Sequence, residues 1–282
     1  MLYYHHDRHG AAICIYDASL PPGGFSVRLF IRQTAGRSAG DSPGKTGPSR
    51  AAPGGAAQKR TVRHRIPEVE ARELPVKKGL LITFEGPDGS GKTTQVQRLA
   101  QHARALGYPI VQTREPGGTA ISEKIREVIL DVSTPEMDDV TEALLYAAAR
   151  AQHVSQVIRP ALLRGDIVVC DRFVDSSIAY QGFGRGLGAG VASINAFAVQ
   201  GVKPDLTFFL DIEPAAGLKR ISRSGGLDRL EKETLAFHKR VYEGYQELIA
   251  QNKERYRIVD AGLDADAVAE EIQSLFDAWM AE

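Results

Sequence analysis

Residues Gly86-Pro87-Asp88-Gly89-Ser90-Gly91-Lys92-Thr93 satisfy the pattern G-x-x-x-x-G-K-[ST], and Thr94 continues them. Glycines at this spacing let successive backbone N–H groups turn inward around a phosphate. The Lys92 ammonium then reaches the outer phosphates, and the Thr93 hydroxyl can face Mg²⁺. The stretch Gly86 to Thr94 is therefore expected to bind a nucleoside triphosphate. A second run, Gly40-Asp41-Ser42-Pro43-Gly44-Lys45-Thr46, has three residues between its glycines instead of four and follows no strand pattern, so it is rejected.

A phosphate loop alone leaves GTPase, motor, transporter ATPase and small-molecule kinase open. Guanine recognition usually needs N-K-x-D, and the nearest string, Asn252-Lys253-Glu254-Arg255, lacks the aspartate. At 282 residues the chain is also short for a motor. The choice among the rest falls to the acceptor side. Tyr146 and Arg150 stand four residues apart, so on a helix a ring and a guanidinium share a face; Ser177 and Gln181 repeat the spacing with polar groups.

A phosphate loop needs a strand before it and a helix after it. Leu80 to Glu85 is a short apolar, β-branched run, and Gln95 to Leu106 follows with helical spacing. Further strands are expected at Pro109 to Arg114, Ile167 to Asp171, Leu206 to Asp211 and Arg255 to Asp260, with helical segments between them. Amphipathic helices are expected at Glu231 to Gln251 and Asp264 to Met280, where Trp279 reads as an anchor. This alternation predicts an α/β fold with a parallel sheet covered on both faces. Arg114, Asp171 and Arg172 then fall at strand C-termini, where open α/β sheets bind ligands.

Composition bounds the rest. Hydrophobic residues make up 43%, ample for a core, and 35 Lys+Arg balance 35 Asp+Glu, leaving no net field for nucleic acid or membrane. The balance hides a split: residues 1–75 carry 11 basic and 6 acidic side chains (+5), leaving 24 and 29 (−5) for residues 76–282. Of 42 Gly and Pro, 16 lie in those first 75 residues, which are expected to be largely disordered, with a transient strand pair at most from Ile13 to Tyr16 and Phe25 to Ile31. Two cysteines, Cys14 and Cys170, exclude a disulfide framework and a Cys-based zinc site and favour a reducing compartment; Cys170 fits a buried strand. No secretory signal or membrane-length apolar run is found, so a cytoplasmic protein is expected. His102, His153 and His238 lack metal-ligand spacing and are assigned no chemistry.

Six strings carry a resemblance. Glu85-Gly86 with the phosphate loop, Arg114-Glu-Pro-Gly-Gly118, Ala147-Ala-Ala-Arg150, Asp171-Arg172-Phe173, Ser176-Ser-Ile-Ala-Tyr-Gln-Gly182 and Pro204-Asp-Leu-Thr-Phe-Phe-Leu-Asp211 resemble, in order and spacing, bacterial thymidylate kinases over about residues 78–280. The resemblance implies a P-loop nucleoside-monophosphate-kinase-like fold, a five-stranded parallel sheet with a mobile lid at about 219–230. It implies transfer of phosphate from ATP to dTMP, with Mg²⁺, in a homodimer that takes no nucleic acid or membrane partner. Another nucleoside-monophosphate or deoxynucleoside kinase, or a binding module without catalysis, are the alternatives.

On this resemblance Tyr146 stacks on the base, Arg150 bonds its edge, Ser177 and Gln181 contact it, and Tyr180 lies beside the deoxyribose. Asp88 is placed toward the 3′-hydroxyl or a neighbouring arginine. Arg114 and Arg172 suit the acceptor phosphate, since a guanidinium fork matches phosphate oxygens, and Arg126 is counted with them. Asp171 is placed to hold Mg²⁺ with Thr93. The phosphate loop's variable positions hold no arginine, so Arg220, Arg223 and Arg229 of the lid are candidates to join Lys92 and Arg172 in catalysis. Glu115-Pro116, where a strand ends before two glycines, is a candidate cis peptide. Residues 1–75 precede the family's usual start near Val76 and are expected to be dispensable. An upstream start codon chosen in error explains them better than a targeting arm, although 8 basic and 3 acidic residues in the first 60 resemble a transit peptide.

Overall fold

The computed structural model describes residues 79–222 and 227–282. The expectations for residues 1–75, the decoy at Gly40 to Thr46, and the assignment of Arg223 lie outside them. Five strands, β1 (Leu80–Glu85), β2 (Ile110–Arg114), β3 (Ile167–Asp171), β4 (Leu206–Asp211) and β5 (Tyr256–Asp260), form one sheet in the order β2-β3-β1-β4-β5. Every pairing is parallel, with Leu80 opposite Ile167 and Ile82 opposite Leu206 flanking the central strand. The central strands read as continuous apolar runs because helices cover both faces. Ile82 and Phe84 pack with Leu99 of α1 (Lys92–Ala105) and Phe276 of α9 (Ala265–Ala281) on one face. Leu81, Val168 and Cys170 turn to the other, where Ile158 and Phe173 meet them.

Between the strands run α2 (Ala120–Leu130), α3 (Asp139–His153), α4 (Arg159–Leu163), α5 (Val174–Ser177), α6 (Ala189–Ala198), α7 (Pro214–Ile221) and α8 (Leu235–Gln251). Two π-helical segments were not legible in the sequence: Val154–Ile158 joins α3 to α4, and Ile178–Gly184 extends α5. Helix α1 begins at Lys92 instead of Gln95, because the polar run Lys92 to Thr94 hides a helical turn from an apolar-periodicity test. Helix α8 begins at Leu235 instead of Glu231. Asp228 Oδ1 accepts from the Leu230 and Glu231 amides to make a turn there, and Thr234 caps the helix by accepting from Phe237 N. Strands β2 and β5 each start one residue later than expected, at Ile110 and Tyr256.

All the strands run the same way, so their C-terminal ends share one edge. That edge carries Glu85, Arg114 and Asp171.

Candidate active site

The phosphate loop joins β1 to α1. Gly86, Gly89 and Gly91 have φ of 143°, 77° and 88°, and a Cβ on Gly89 would lie 2.2 Å from the Gly217 carbonyl oxygen. Glycine alone meets both demands. Gly91 caps α1 without a side-chain bond, so the first-turn amides keep their capacity for an anion. Lys92 folds over the loop: its Nζ donates to the carbonyls of Gly86 (3.1 Å) and Pro87 (2.8 Å) and to Ser90 Oγ (3.2 Å). Burial, and after it the Arg172 charge, push this ammonium down to about 8. The Thr93 hydroxyl donates to Asp171 Oδ2 at 2.5 Å. A hydroxyl and a carboxylate side by side make the hard, all-oxygen donor set that suits Mg²⁺.

Beside the loop lies a cavity of about 540 Å³, counting its open mouth, lined by residues that include Tyr146, Arg150, Ser177, Tyr180 and Gln181. Arg150 is buried. Its Nε donates to Glu115 Oε2 (2.7 Å), Nη1 to Ser177 Oγ (2.9 Å) and Asn195 Oδ1, and Nη2 to the Phe173 carbonyl (3.0 Å). A guanidinium has five N–H groups. Among the described residues these four bonds leave one, on Nη2, to donate elsewhere. Glu115 Oε1 bonds His153 Nδ1 at 2.9 Å, and His153 Nε2 bonds the half-buried Thr113 Oγ1 at 2.7 Å, so a relay whose Glu115 and His153 are buried stands behind Arg150. Gln181 donates from Nε2 to Glu142 at 2.8 Å, while its Oε1 is buried without a partner. Tyr146 adds a buried aromatic ring whose phenol is raised by burial and then by Glu142. A ring, one free N–H and one free amide oxygen suit a pyrimidine edge that pairs a carbonyl with an N–H.

Arg172 lines this cavity and also the cleft along the phosphate loop. Its φ is 65°, the left-handed region that costs a bulky side chain energy, and such strain gathers at ligand sites. Nη2 reaches Asp88 Oδ1 (2.5 Å) and the Tyr180 hydroxyl (3.2 Å); Nη1 reaches the Gly86 carbonyl (3.2 Å). Tyr180 in turn donates to Asp88 Oδ2 at 2.7 Å. Burial works to raise the Asp88 carboxyl, but Arg172 and then Lys92 outweigh it and the net direction is down. Behind them Glu85 accepts from Phe173 N, Ser176 Oγ and the Tyr245 hydroxyl, and burial followed by Asp175 pushes its carboxyl up to about 7. Arg114 and Arg126 line the same cleft, both donating to the Pro116 carbonyl, with Arg114 also on Glu123. The Glu115–Pro116 peptide bond that precedes this carbonyl is cis.

Residues 84–272 match the family described as thymidylate kinase. A thymidylate kinase of Lactobacillus delbrueckii subsp. bulgaricus is 57% identical over 194 residues, covering 67% of this chain and 92% of that protein. One from Bacillus pumilus is 53% identical over 197 residues, covering 69% and 93%. The crystal structure of thymidylate kinase from Ehrlichia chaffeensis superposes with a TM-score of 0.59 at 31% identity, covering 71% of this chain and 99% of that one. The chain belongs to the thymidylate kinase family.

Within the kinase, the residues expected from sequence separate by place. Lys92, Thr93, Thr94, Asp171 and Arg114 line the cleft, and Asp88, Arg126 and Arg172 line both cleft and cavity. Ser177 turns toward Arg150 as an acceptor, so its hydroxyl orients the arginine. Two of the arginines expected in a lid are tied elsewhere: Arg220 donates to the carbonyls of Ala261 and Gly262, and Arg229 to the Ile129 carbonyl and Glu142. Neither lines the cleft or the cavity. Sequence reasoning passed over Glu115, His153, Asn195, Glu142, Asp228 and Glu231, although Glu115 lies inside the quoted Arg114-to-Gly118 string and Asp228 beside Arg229. Asp228 and Glu231 line both spaces. No helix among the described residues is long and apolar enough to cross a membrane.

Proposed function

We infer that the cleft and the cavity are the donor and acceptor sites of one phosphoryl transfer. The chain phosphorylates dTMP to dTDP with ATP. The observation that carries the assignment is the meeting of the two spaces at Asp88 and Arg172, with the phosphate loop on one side and Tyr146, Arg150 and Gln181 on the other.

An oxygen of the dTMP phosphate attacks the γ-phosphorus. The bond to the β,γ-bridging oxygen breaks, and that oxygen leaves on ADP. The attacking oxygen is already anionic, so no general base is required, and the protein's task is positioning and charge neutralisation. The glycine-loop amides and Lys92 hold the donor phosphates. Arg172, at the junction, stabilises charge on the phosphoryl group in flight, and Arg114 and Arg126 hold the acceptor phosphate. Thr93 and Asp171 would hold Mg²⁺, which would supply further charge neutralisation at the phosphates. Tyr146 stacks on the base, Arg150 donates to it, Gln181 accepts from it, and Tyr180 stands by the sugar with Asp88. Arg223 remains a candidate in catalysis, and Arg220 joins it only by leaving the Ala261 and Gly262 carbonyls.

The reading extends to the whole protein. Residues 76–282 form the kinase domain with a lid at about 219–230, and residues 1–75 form an extension. A cytoplasmic homodimer fits best, supported by exposed Ile121 and Val128 on α2, Leu144 on α3 and Phe197 on α6, three helices that pack in sequence. The test is ADP release by the full chain across nucleoside monophosphates with MgATP. Turnover of dTMP at least tenfold more efficient than of dCMP or AMP is expected; a preference for either of those overturns the acceptor assignment.

A further inference from the structure

We propose that Glu142, which does not line the acceptor cavity, decides which pyrimidine edge the cavity accepts, by locking the side-chain amide of Gln181 in one orientation. The proposal rests on the acceptor assignment above. A glutamine amide is ambidextrous: its two ends are alike in size, one accepts and the other donates, and only hydrogen bonding decides which faces where. Gln181 alone therefore cannot distinguish a base that offers an N–H from one that offers a lone pair.

Glu142 removes the ambiguity. It is fully buried on the first turn of α3. Its Oε2 accepts from Arg229 Nη2 (2.6 Å) and Arg185 Nη2 (2.9 Å), and its Oε1 from Gln181 Nε2 (2.8 Å). A carboxylate between two guanidiniums accepts and does not donate. Turning the amide over would set oxygen against oxygen between two buried side chains and forfeit a charge-assisted bond, a cost larger than that of an ordinary lost hydrogen bond. The Nε2 end is thus committed to Glu142. The Oε1 end is left over, and it is a buried side-chain oxygen without a partner in a residue that lines the cavity.

A buried, unpaired acceptor selects for a donor. Thymine offers N3–H beside a carbonyl at position 4; cytosine offers a bare N3 beside an amino group. The free Arg150 N–H suits the carbonyl, and the locked Gln181 Oε1 suits N3–H, so both readers reject cytosine. Glu142 sets the second of them. Anchoring Arg185 is not a sufficient account of this carboxylate, because Arg185 also pairs with Glu233 (2.5 Å) and Asp139 (3.2 Å).

The test compares dTMP with dCMP under saturating MgATP. Glu142→Gln gives Gln181 a neighbour that can donate as well as accept, which frees the amide to turn. We expect the dTMP-to-dCMP ratio of kcat/KM to fall at least tenfold, chiefly through KM for dTMP, with KM for ATP within twofold of the parent. Glu142→Asp keeps the charge for both arginines but draws the carboxylate back by about 1.5 Å, one bond length. It serves if the first variant does not fold, and the ratio should fall at least threefold. In a Gln181→Leu background, Glu142→Gln should leave the ratio where Gln181→Leu has put it, because the residue it acts through is gone. Equal loss with both nucleotides, accompanied by a lower Tm, makes Glu142 a structural anchor only and overturns the proposal. An unchanged ratio in the Glu142 variants, with Gln181→Leu raising KM for dTMP at least tenfold, overturns it while the acceptor assignment stands. If Gln181→Leu leaves KM for dTMP unchanged, the acceptor assignment itself falls, and the proposal with it.

Discussion

The donor cleft and the acceptor cavity meet at Asp88 and Arg172 but are built on opposite plans. The cleft takes Asp88, Gly89, Gly91, Lys92, Thr93 and Thr94 from one contiguous stretch, which offers backbone amides and a single lysine. The cavity gathers side chains from α3, α5 and the π-helical turn after it, each oriented by a buried partner. The difference follows from the ligands. A triphosphate is the same on every nucleotide, so fixed amides suffice, whereas one base is told from another only by donors and acceptors in a set order, which needs side chains held still.

Loss of function should be largest where the two plans meet. Lys92→Ala and Arg172→Ala should each lower kcat/KM by two orders of magnitude or more, roughly 3 kcal/mol of transition-state stabilisation, with an unchanged circular dichroism spectrum. Near-parental turnover by either variant would remove the contrast between a catalytic junction and two binding regions.

On the cavity side the effects should divide between binding and folding. Arg150→Ala should raise KM for dTMP far more than KM for ATP, by the roughly 1.5–3 kcal/mol of a hydrogen bond to a charged group. It should also strand Glu115 in the interior, a cost of roughly 3–5 kcal/mol for breaking a buried pair. The double variant Arg150→Leu with Glu115→Gln should recover much of the lost Tm without recovering KM for dTMP. Recovery of both would mean that Arg150 acts through folding alone.

A smaller effect belongs to the cleft alone. Burial pushes the Lys92 ammonium down to about 8, and a triphosphate favours its charged form. KM for ATP should therefore begin to rise as the pH passes about 8, with no matching break in KM for dTMP. The sign for stability is the reverse. This pKa is depressed on folding, so the unfolded chain holds the proton more tightly, and the lysine's unfavourable contribution is fully present below about 8 and disappears as the pH approaches 10.5. A flat profile of KM for ATP between pH 7 and 9 would show that Lys92 stays fully charged.

Removal of residues 1–75 should change least. A chain starting at Val76 is expected to keep kcat/KM within about twofold, since no candidate ligand for either substrate lies before the first strand. A folded truncation that lost most of its activity would add a third region to the comparison.

The sequence by itself determined the sheet, the phosphate loop and the charged residues at its edge. Those depend on local rules: apolar runs for covered strands, glycines where φ is positive, and strand C-termini that parallel pairing must bring together. What only the tertiary structure decided is how the polar groups are shared out inside. The relay from Thr113 through His153 and Glu115 to Arg150, the hub of Gln181, Arg185 and Arg229 on Glu142, and the left-handed Arg172 on Asp88 join residues far apart in the chain. No spacing rule announces such partners. A buried charge is tolerated only where packing delivers its counter-charge and its hydrogen bonds together, and that condition is met in three dimensions, not along the chain.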